Sequence, residues 1–243
     1  MKKILILGSA PNASIPVADF AYCANASASY FQEQLTQIGE IVSVVGEHCI
    51  AAVPGSAAPE SVKIARELII ESKNDISIIR HQPWFDGWNL DLGLEDMKAK
   101  YRWISHSERS TTIMQTSGLS EPIISHTLLY ESIKRNPIGF LRNMNSLFRQ
   151  NRRAKKKGSV ESHAVLRPST GLLAAMIAMS EHGLDAKYIL SGINLSIFSD
   201  RTSHHKGPTQ QAFHGITHHI HADRKIFYAL KRRYNIEYIN PRS

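Results

Sequence analysis

Half of the chain's 12 histidines fall between His204 and His221. Imidazole changes charge near neutral pH, so a histidine beside a hydroxyl is suited to taking its proton. His218, His219 and His221 stand at the start of an amphipathic stretch, with Asp223 just beyond them. His218 and His221 are also three residues apart, a spacing that puts two side chains on neighbouring positions of one helix face. A second chemistry is therefore open to the same cluster. In a metal-dependent hydrolase the pair would share a cation with His204, His205 or His214, although no matching carboxylate or supporting pattern accompanies them.

Three other segments carry groups that hold ligands. Gly8-Ser9-Ala10-Pro11-Asn12 follows a short apolar run; the glycine lets backbone approach a ligand, and Ser9 and Asn12 add a hydroxyl and an amide. The turn is neither GxGxxG nor GxxxxGK[ST], which disfavours a dinucleotide or a P-loop nucleotide. Arg167-Pro168-Ser169-Thr170-Gly171 places small donors immediately before an apolar helix, an arrangement that receives anions or simply caps the helix. Ser191-Gly192-Ile193-Asn194 ends another strand-like run, and the polar stretch from Ser196 to Gly215, with Gly207 and Pro208, reads as a flexible lid over about 196–216.

The elements that must position these groups follow from apolar patterning. Lys3 to Leu7, Ile41 to Val45, Ile76 to Ile79, Ser162 to Leu166, Lys187 to Ile193 and Glu237 to Ile239 read as strands. Ser27 to Ile38, Pro59 to Ser72, Gly171 to His182 and Ile220 to Tyr234 read as helices, with Gly39 and Gly183 as stops. Glu121 to Arg135 and Ile138 to Gln150 read as two more, a helical insertion over about 120–157 of the sort that covers a cleft or touches a large ligand. His81 to Trp88 is an aromatic loop that lines a pocket or packs across the sheet. The alternation predicts an α/β protein: residues 1–243 as a single Rossmann-like domain with a mostly parallel sheet and helices on both faces.

Composition narrows the class. Hydrophobic residues at 42% and charged residues at 21% belong to a folded chain. The longest apolar run, Gly171 to Met179, is far shorter than the roughly 20 residues that cross a bilayer, and no basic-then-apolar signal opens the chain, so a cytoplasmic location is expected. Cys23 and Cys49 form no close pair and read as core residues. A net charge of +8 attracts anions, and it is concentrated at Arg149, Arg152, Arg153 and Lys155 to Lys157 and again at Lys225, Lys231, Arg232 and Arg233. A polyanion-binding protein without enzymatic activity would use both blocks. Nucleic-acid readers interleave aromatics with their basic residues, however, and that pattern is absent, so no nucleic-acid partner is expected.

In order and spacing, LILGSAPN, the asparagine of CANAS, RPSTG, YILSGIN and the histidine-rich helix start resemble the bacterial sialyltransferases of glycosyltransferase family 42 and, more distantly, the animal-type sialyltransferases of family 29. The resemblance covers the first 31 residues and residues 162 to 240, and is absent between 45 and 160. It implies a GT-A-like sialyltransferase variant of the fold and an inverting glycosyltransferase. The enzyme would move an acidic sugar, sialic acid or Kdo, from a CMP-sugar to a glycan or lipid-linked glycan acceptor of lipooligosaccharide or capsule. It further implies that Gly8, Ser9, Asn25, Ser169, Thr170, Gly171, Gly192 and Ile193 hold CMP, with Asn12 and Asn194 beside them. The family's general base opens its last helix; counted back from Asp223 it falls on His218, with His221 one turn on as the reserve.

The chain has no Asp-x-Asp triplet of the kind that holds Mn or Mg for nucleoside-diphosphate donors, so neither metal nor cofactor is expected. The basic surface would then bring the enzyme to the inner face of an anionic membrane, as a monomer or an oligomer. Two features depart from the family. Ser196 stands where the first of its phosphate-binding tyrosines would be, with no tyrosine between Tyr188 and Tyr228, which leaves Arg201, Thr202, His204, His205 or Lys206 to substitute. The second asparagine, near the end of the second strand, is Val45 or Gly46.

Overall fold

The computed structural model describes residues 1–10, 12–46, 67, 69, 71, 74–79, 100–119, 168–195 and 218–240. Seven strands form one sheet: β1 (Lys3–Leu7), β2 (Phe20–Ala24), β3 (Glu40–Gly46), β4 (Asp75–Ile79), β5 (Tyr101–Ile104), β6 (Lys187–Ser191) and β7 (Asn235–Ile239). Their order across the sheet is β5-β4-β3-β2-β1-β6-β7, and every neighbouring pair is parallel. Among the described residues four helices with defined bounds accompany them: α1 (Ser27–Tyr30), α2 (His106–Ser117), α3 (Thr170–His182) and α4 (His218–Lys231). The protein is thus an α/β Rossmann-like fold, and its sheet is wholly parallel among the described strands.

A parallel sheet buries both faces, and β1 shows why its sequence is continuously apolar: Ile4 to Leu7 have no exposed surface. Alternation sends Ile4 and Ile6 into one core with α3, α4 and Ile113 of α2, and Leu5 and Leu7 into the other with Ala28, Phe31, Leu35 and Ile38. Helical segments therefore cover both faces. α3 carries the larger core, since Gly171 through Met179 are all buried. A helix apolar all round is held by its surroundings on every side, and each buried Leu, Ile or Met contributes about 1.5–3 kcal/mol. Cys23 is wholly buried in the second core, where the apolar surroundings push its thiol up to about 12.

Four elements differ from the sequence expectation. β2 was not anticipated; the chain crosses from β1 to the parallel β2 through residues 8–19 without a helix. The helix expected over Ser27 to Ile38 is a four-residue turn of α-helix followed by turns, in which Gln34 and Leu35 both donate to Phe31 O and Ile38 donates to Leu35 O. Mixed three- and four-residue bonds bury Phe31, Leu35 and Ile38 without a regular ladder. β5 and α2 were likewise unforeseen. α2 begins with Ser105 Oγ accepting from Glu108 N at 3.2 Å and ends at Gly118, where Arg233 Nη1 donates to Gln115 O and Thr116 O at 2.7 and 2.8 Å.

Most of the Pro59 to Ser72 helix lies outside the described residues, as do the aromatic loop, both helices of the insertion, the first basic block, the strand at Ser162 to Leu166, Arg167 and the lid. No helix among the described residues is long and apolar enough to cross a membrane.

The C-terminal end of α3 is clamped to the sheet by a polar group. Tyr22 donates to Glu181 Oε2 at 2.5 Å, Arg102 pairs with the same carboxylate, and His182 Nε2 lies 3.0 Å from the Tyr22 hydroxyl. With the Tyr22 proton on Glu181, His182 is the donor to the tyrosine oxygen. Burial against Phe20, whose ring centroid is 4.7 Å away, holds the His182 pKa below its ordinary 6.5; Lys2 acts in the same direction, and Glu181 and Glu40 oppose it. Below pH 6.5 the unfolded chain therefore binds more protons at this residue than the folded one. Its contribution to stability is complete above that pH and is lost as the pH falls towards the folded value. Urea midpoints measured at about pH 7.5 and about pH 5.5 should differ less in His182→Gln than in the parent. Equal differences in the two proteins would remove His182 as a source of acid sensitivity.

Candidate functional site

In a parallel sheet all strands end on one edge, and the helices that return the chain begin there. The strand order reverses between β1 and β6, since the chain builds outward from β1 to β5 and then returns to the other side of β1. At such a switch the loops after the two adjacent strands part in opposite directions and open a crevice. Here those loops are Gly8-Ser9 and Gly192-Ile193-Asn194.

The two loops meet through backbone. Gly8 N donates to Ser191 O at 2.8 Å and Ala10 N to Gly192 O at 3.1 Å. A Cβ on Gly8 would lie 2.1 Å from Gly192 O, and Gly192 itself has φ +69°, a left-handed conformation that glycine adopts freely. Ser27 Oγ, buried at the start of α1, is 2.8 Å from Gly8 O and 2.7 Å from Ala24 O, tying the ends of β1 and β2 together. Asn25 lies at the end of β2 with φ 54° and donates its N–H to Val44 O at 2.8 Å, extending the ladder by one bond. Ser9 is half-buried and Asn12 is exposed.

α3 joins the crevice at its N-terminal turn. A Cβ on Gly171 would lie 3.1 Å from Ile193 Cγ1, so the absence of a side chain there lets the helix start sit against the β6 loop. Ser169 is the N-cap, and its hydroxyl accepts from Leu172 N at 3.4 Å. Its own N–H donates to Asp223 Oδ1 at 2.7 Å. Asp223 is 1% exposed, so a carboxylate of α4 is built into the positive end of the α3 dipole. Of the two roles the sequence leaves to this turn, the cap is formed, and Asp223 lies beside it. What the turn still presents are the N–H groups of Thr170 and Gly171, which helix geometry leaves without intrahelical partners, and the Thr170 hydroxyl.

The same contact brings in α4. His218 and His221 lie in its first turn, ahead of Asp223, so the backbone of the histidine-bearing turn starts beside the α3 turn. The structure thus brings Gly8, Gly192, Ile193, Gly171 and Ser169 into one chain of contacts and attaches the start of α4 to it. Val45 and Gly46, the positions in place of the family's second asparagine, are buried at the end of β3.

No family model, curated protein or solved structure matches the chain.

Three contributors had no signal in the sequence spacing. Asp223 served there as a position marker, and its partner Ser169 is 54 residues away. Tyr238 of β7 donates to Ile193 O at 2.8 Å and accepts from Leu195 N at 3.4 Å, fixing the chain as it leaves β6; burial raises its pKa. Arg224 approaches the same segment, with Nη1 3.5 Å from Leu195 O.

Proposed function

We propose that this chain is a glycosyltransferase that moves an acidic sugar, sialic acid or Kdo, from a CMP-sugar to a hydroxyl of a glycan or lipid-linked acceptor, with inversion and without a metal. One observation carries the reading: the switch-point crevice, in which a glycine loop and a glycine strand end meet through backbone, a Ser-Thr-Gly helix start lies against the Ile193 side chain, and a histidine-bearing helix start is attached through Asp223.

In this reading the glycines at 8, 171 and 192 let the two loops and the α3 turn close on one another, since a side chain at any of them would meet the neighbouring protein atoms, and the main chain assembled in this way lies against the nucleoside. Asn25, Ser9, Asn12 and Asn194 supply polar groups around it. As the acceptor oxygen bonds to the anomeric carbon, His218 takes its proton, with His221 as the alternative base. The bond from that carbon to the phosphate oxygen breaks, and CMP leaves with the electron pair. The transition state is oxocarbenium-like, and catalysis consists of stabilising the departing anion and removing the acceptor proton. The net charge of +8 suits an enzyme that works at an anionic membrane surface on lipid-linked acceptors.

Isothermal titration with CMP, UDP and GDP in the presence of a chelator tests the proposal. CMP alone should bind, in the micromolar to low-millimolar range. Binding of UDP or GDP in preference, or binding that the chelator abolishes, would overturn the CMP assignment or its metal independence. Absence of CMP binding with stoichiometric metal in the purified protein would favour a metal-dependent hydrolase. Absence of CMP binding with steeply salt-dependent binding of random oligonucleotides would favour a polyanion binder.

A further inference from the structure

We propose that Arg224 is the phosphate-binding residue of this site, a cation held at the β6 edge of the crevice to receive the phosphate of the nucleoside monophosphate. The inference rests on the CMP reading above and adds the subsite that the reading lacks.

It starts from charge. A bound phosphate in this crevice needs a counter-charge, and the helix terminus that would ordinarily supply one is already occupied: Asp223 Oδ1 accepts from Ser169 N at 2.7 Å. A second anion on that turn would face a buried carboxylate, and like charges at close range in a partly desolvated site repel strongly. The Ser169–Gly171 turn is therefore left for an uncharged polar part of the ligand, and the phosphate belongs elsewhere.

Arg224 is the next residue of α4, about 100° further round the helix, so its side chain leaves in a different direction from that of Asp223. It reaches the chain leaving β6, three residues beyond Gly192. A guanidinium has five N–H donors in a planar fork. Among the described residues this one makes a single long hydrogen bond, from Nη1 to Leu195 O at 3.5 Å, while being half-buried. A structural arginine in such a place would be expected to spend its donors on a carboxylate or on several carbonyls, as Arg233 does with Gln115 O and Thr116 O. Among the described residues the rest of its fork has no acceptor.

The cation is also well located. Tyr238 bonds Ile193 O and Leu195 N, so the backbone beside Arg224 is fixed from β7, and Phe227 on the next turn of α4 packs on the Tyr238 ring at 5.3 Å between centroids. Ile193 in turn touches the Gly171 turn. A guanidinium held this way takes two phosphate oxygens at once, which a lysine cannot do with the same geometry.

The test compares CMP with cytidine, which differs from it by the phosphate alone, in the parent, Arg224→Gln and Arg224→Lys. Urea unfolding of all three serves as the folding control. Arg224→Gln keeps a donor for Leu195 O and removes the charge. It should weaken CMP binding about tenfold or more and change cytidine binding less than about twofold, with Arg224→Lys in between. If CMP and cytidine weaken together, Arg224 positions the loop and the subsite is overturned. If neither weakens, or if the parent binds the two ligands equally, the nucleoside site stands and the phosphate subsite does not. If the parent binds neither, the CMP reading itself fails and the subsite goes with it.

Discussion

Gly8→Ala should lower the unfolding free energy by about 3 kcal/mol or more, with the urea midpoint falling accordingly. The added methyl would lie 2.1 Å from Gly192 O, 2.5 Å from Gly192 C and 2.8 Å from Ile193 N, and all three atoms are main chain. No rotamer change relieves such a contact. Gly192 cannot step aside alone, because it sits at φ +69° with a Cβ-free approach of its own to Ala13, and because Gly8 N–Ser191 O and Ala10 N–Gly192 O hold the two loops together. Relief means parting β1 from β6 at their carboxyl ends, at about 0.5–1.5 kcal/mol for each hydrogen bond lost in addition to the strain of overpacking. Gly39→Ala is the control: among the described residues its added methyl meets only Asp19 O, at 3.7 Å, and should change the midpoint little. If Gly8→Ala unfolds at the parent's midpoint, the loops do not approach as described, and the crevice loses its geometry.

The contrast between these glycines shows what kind of information the sequence carried. Gly8 and Gly39 look alike in it, one after a strand and one before the next, and only the partner strand 184 residues away distinguishes them. α3 was legible because nine successive buried residues leave no other reading of Gly171 to Met179, and Ser169 and Gly183 mark its ends. β1, β3, β4, β6 and β7 announced themselves as apolar or β-branched runs. β2 did not, although Phe20 to Ala24 is just as apolar, because a strand joined to its parallel neighbour without a helix breaks the alternation on which the reading relied. α2 did leave a mark: Ser105-His106-Ser107-Glu108 is a capping-box sequence and Gly118 a stop, but the mostly polar body between them hid the helix from apolar periodicity. The candidate site divides in the same way. Its glycines, serine and threonine lie in local motifs, whereas Asp223 on Ser169 and Tyr238 on Ile193 are contacts between elements distant in sequence, which no spacing rule expresses.

The Asp223 contact also bears on the histidines. It fixes α4 axially against α3, and so decides how far along the crevice the first turn of α4 begins. His218 and His221 differ by three residues, about 4.5 Å along the helix axis, which is more than a hydrogen-bond length. One acceptor oxygen therefore cannot be served equally by both. His218→Ala should lower turnover by roughly 100-fold or more and leave CMP affinity nearly unchanged, because a base acts on the acceptor proton and not on the donor. His221→Ala should change turnover far less. The pH profile separates a base from a residue that merely shapes the turn: the parent's rate should rise with pH as the imidazole loses its proton, and that limb should be missing from the residual activity of His218→Ala. If the two variants exchange roles, the base is His221 and the alignment of α4 slips by one turn. If both retain the parent's turnover and pH profile, neither histidine takes the proton, and the start of α4 serves the site only through Asp223.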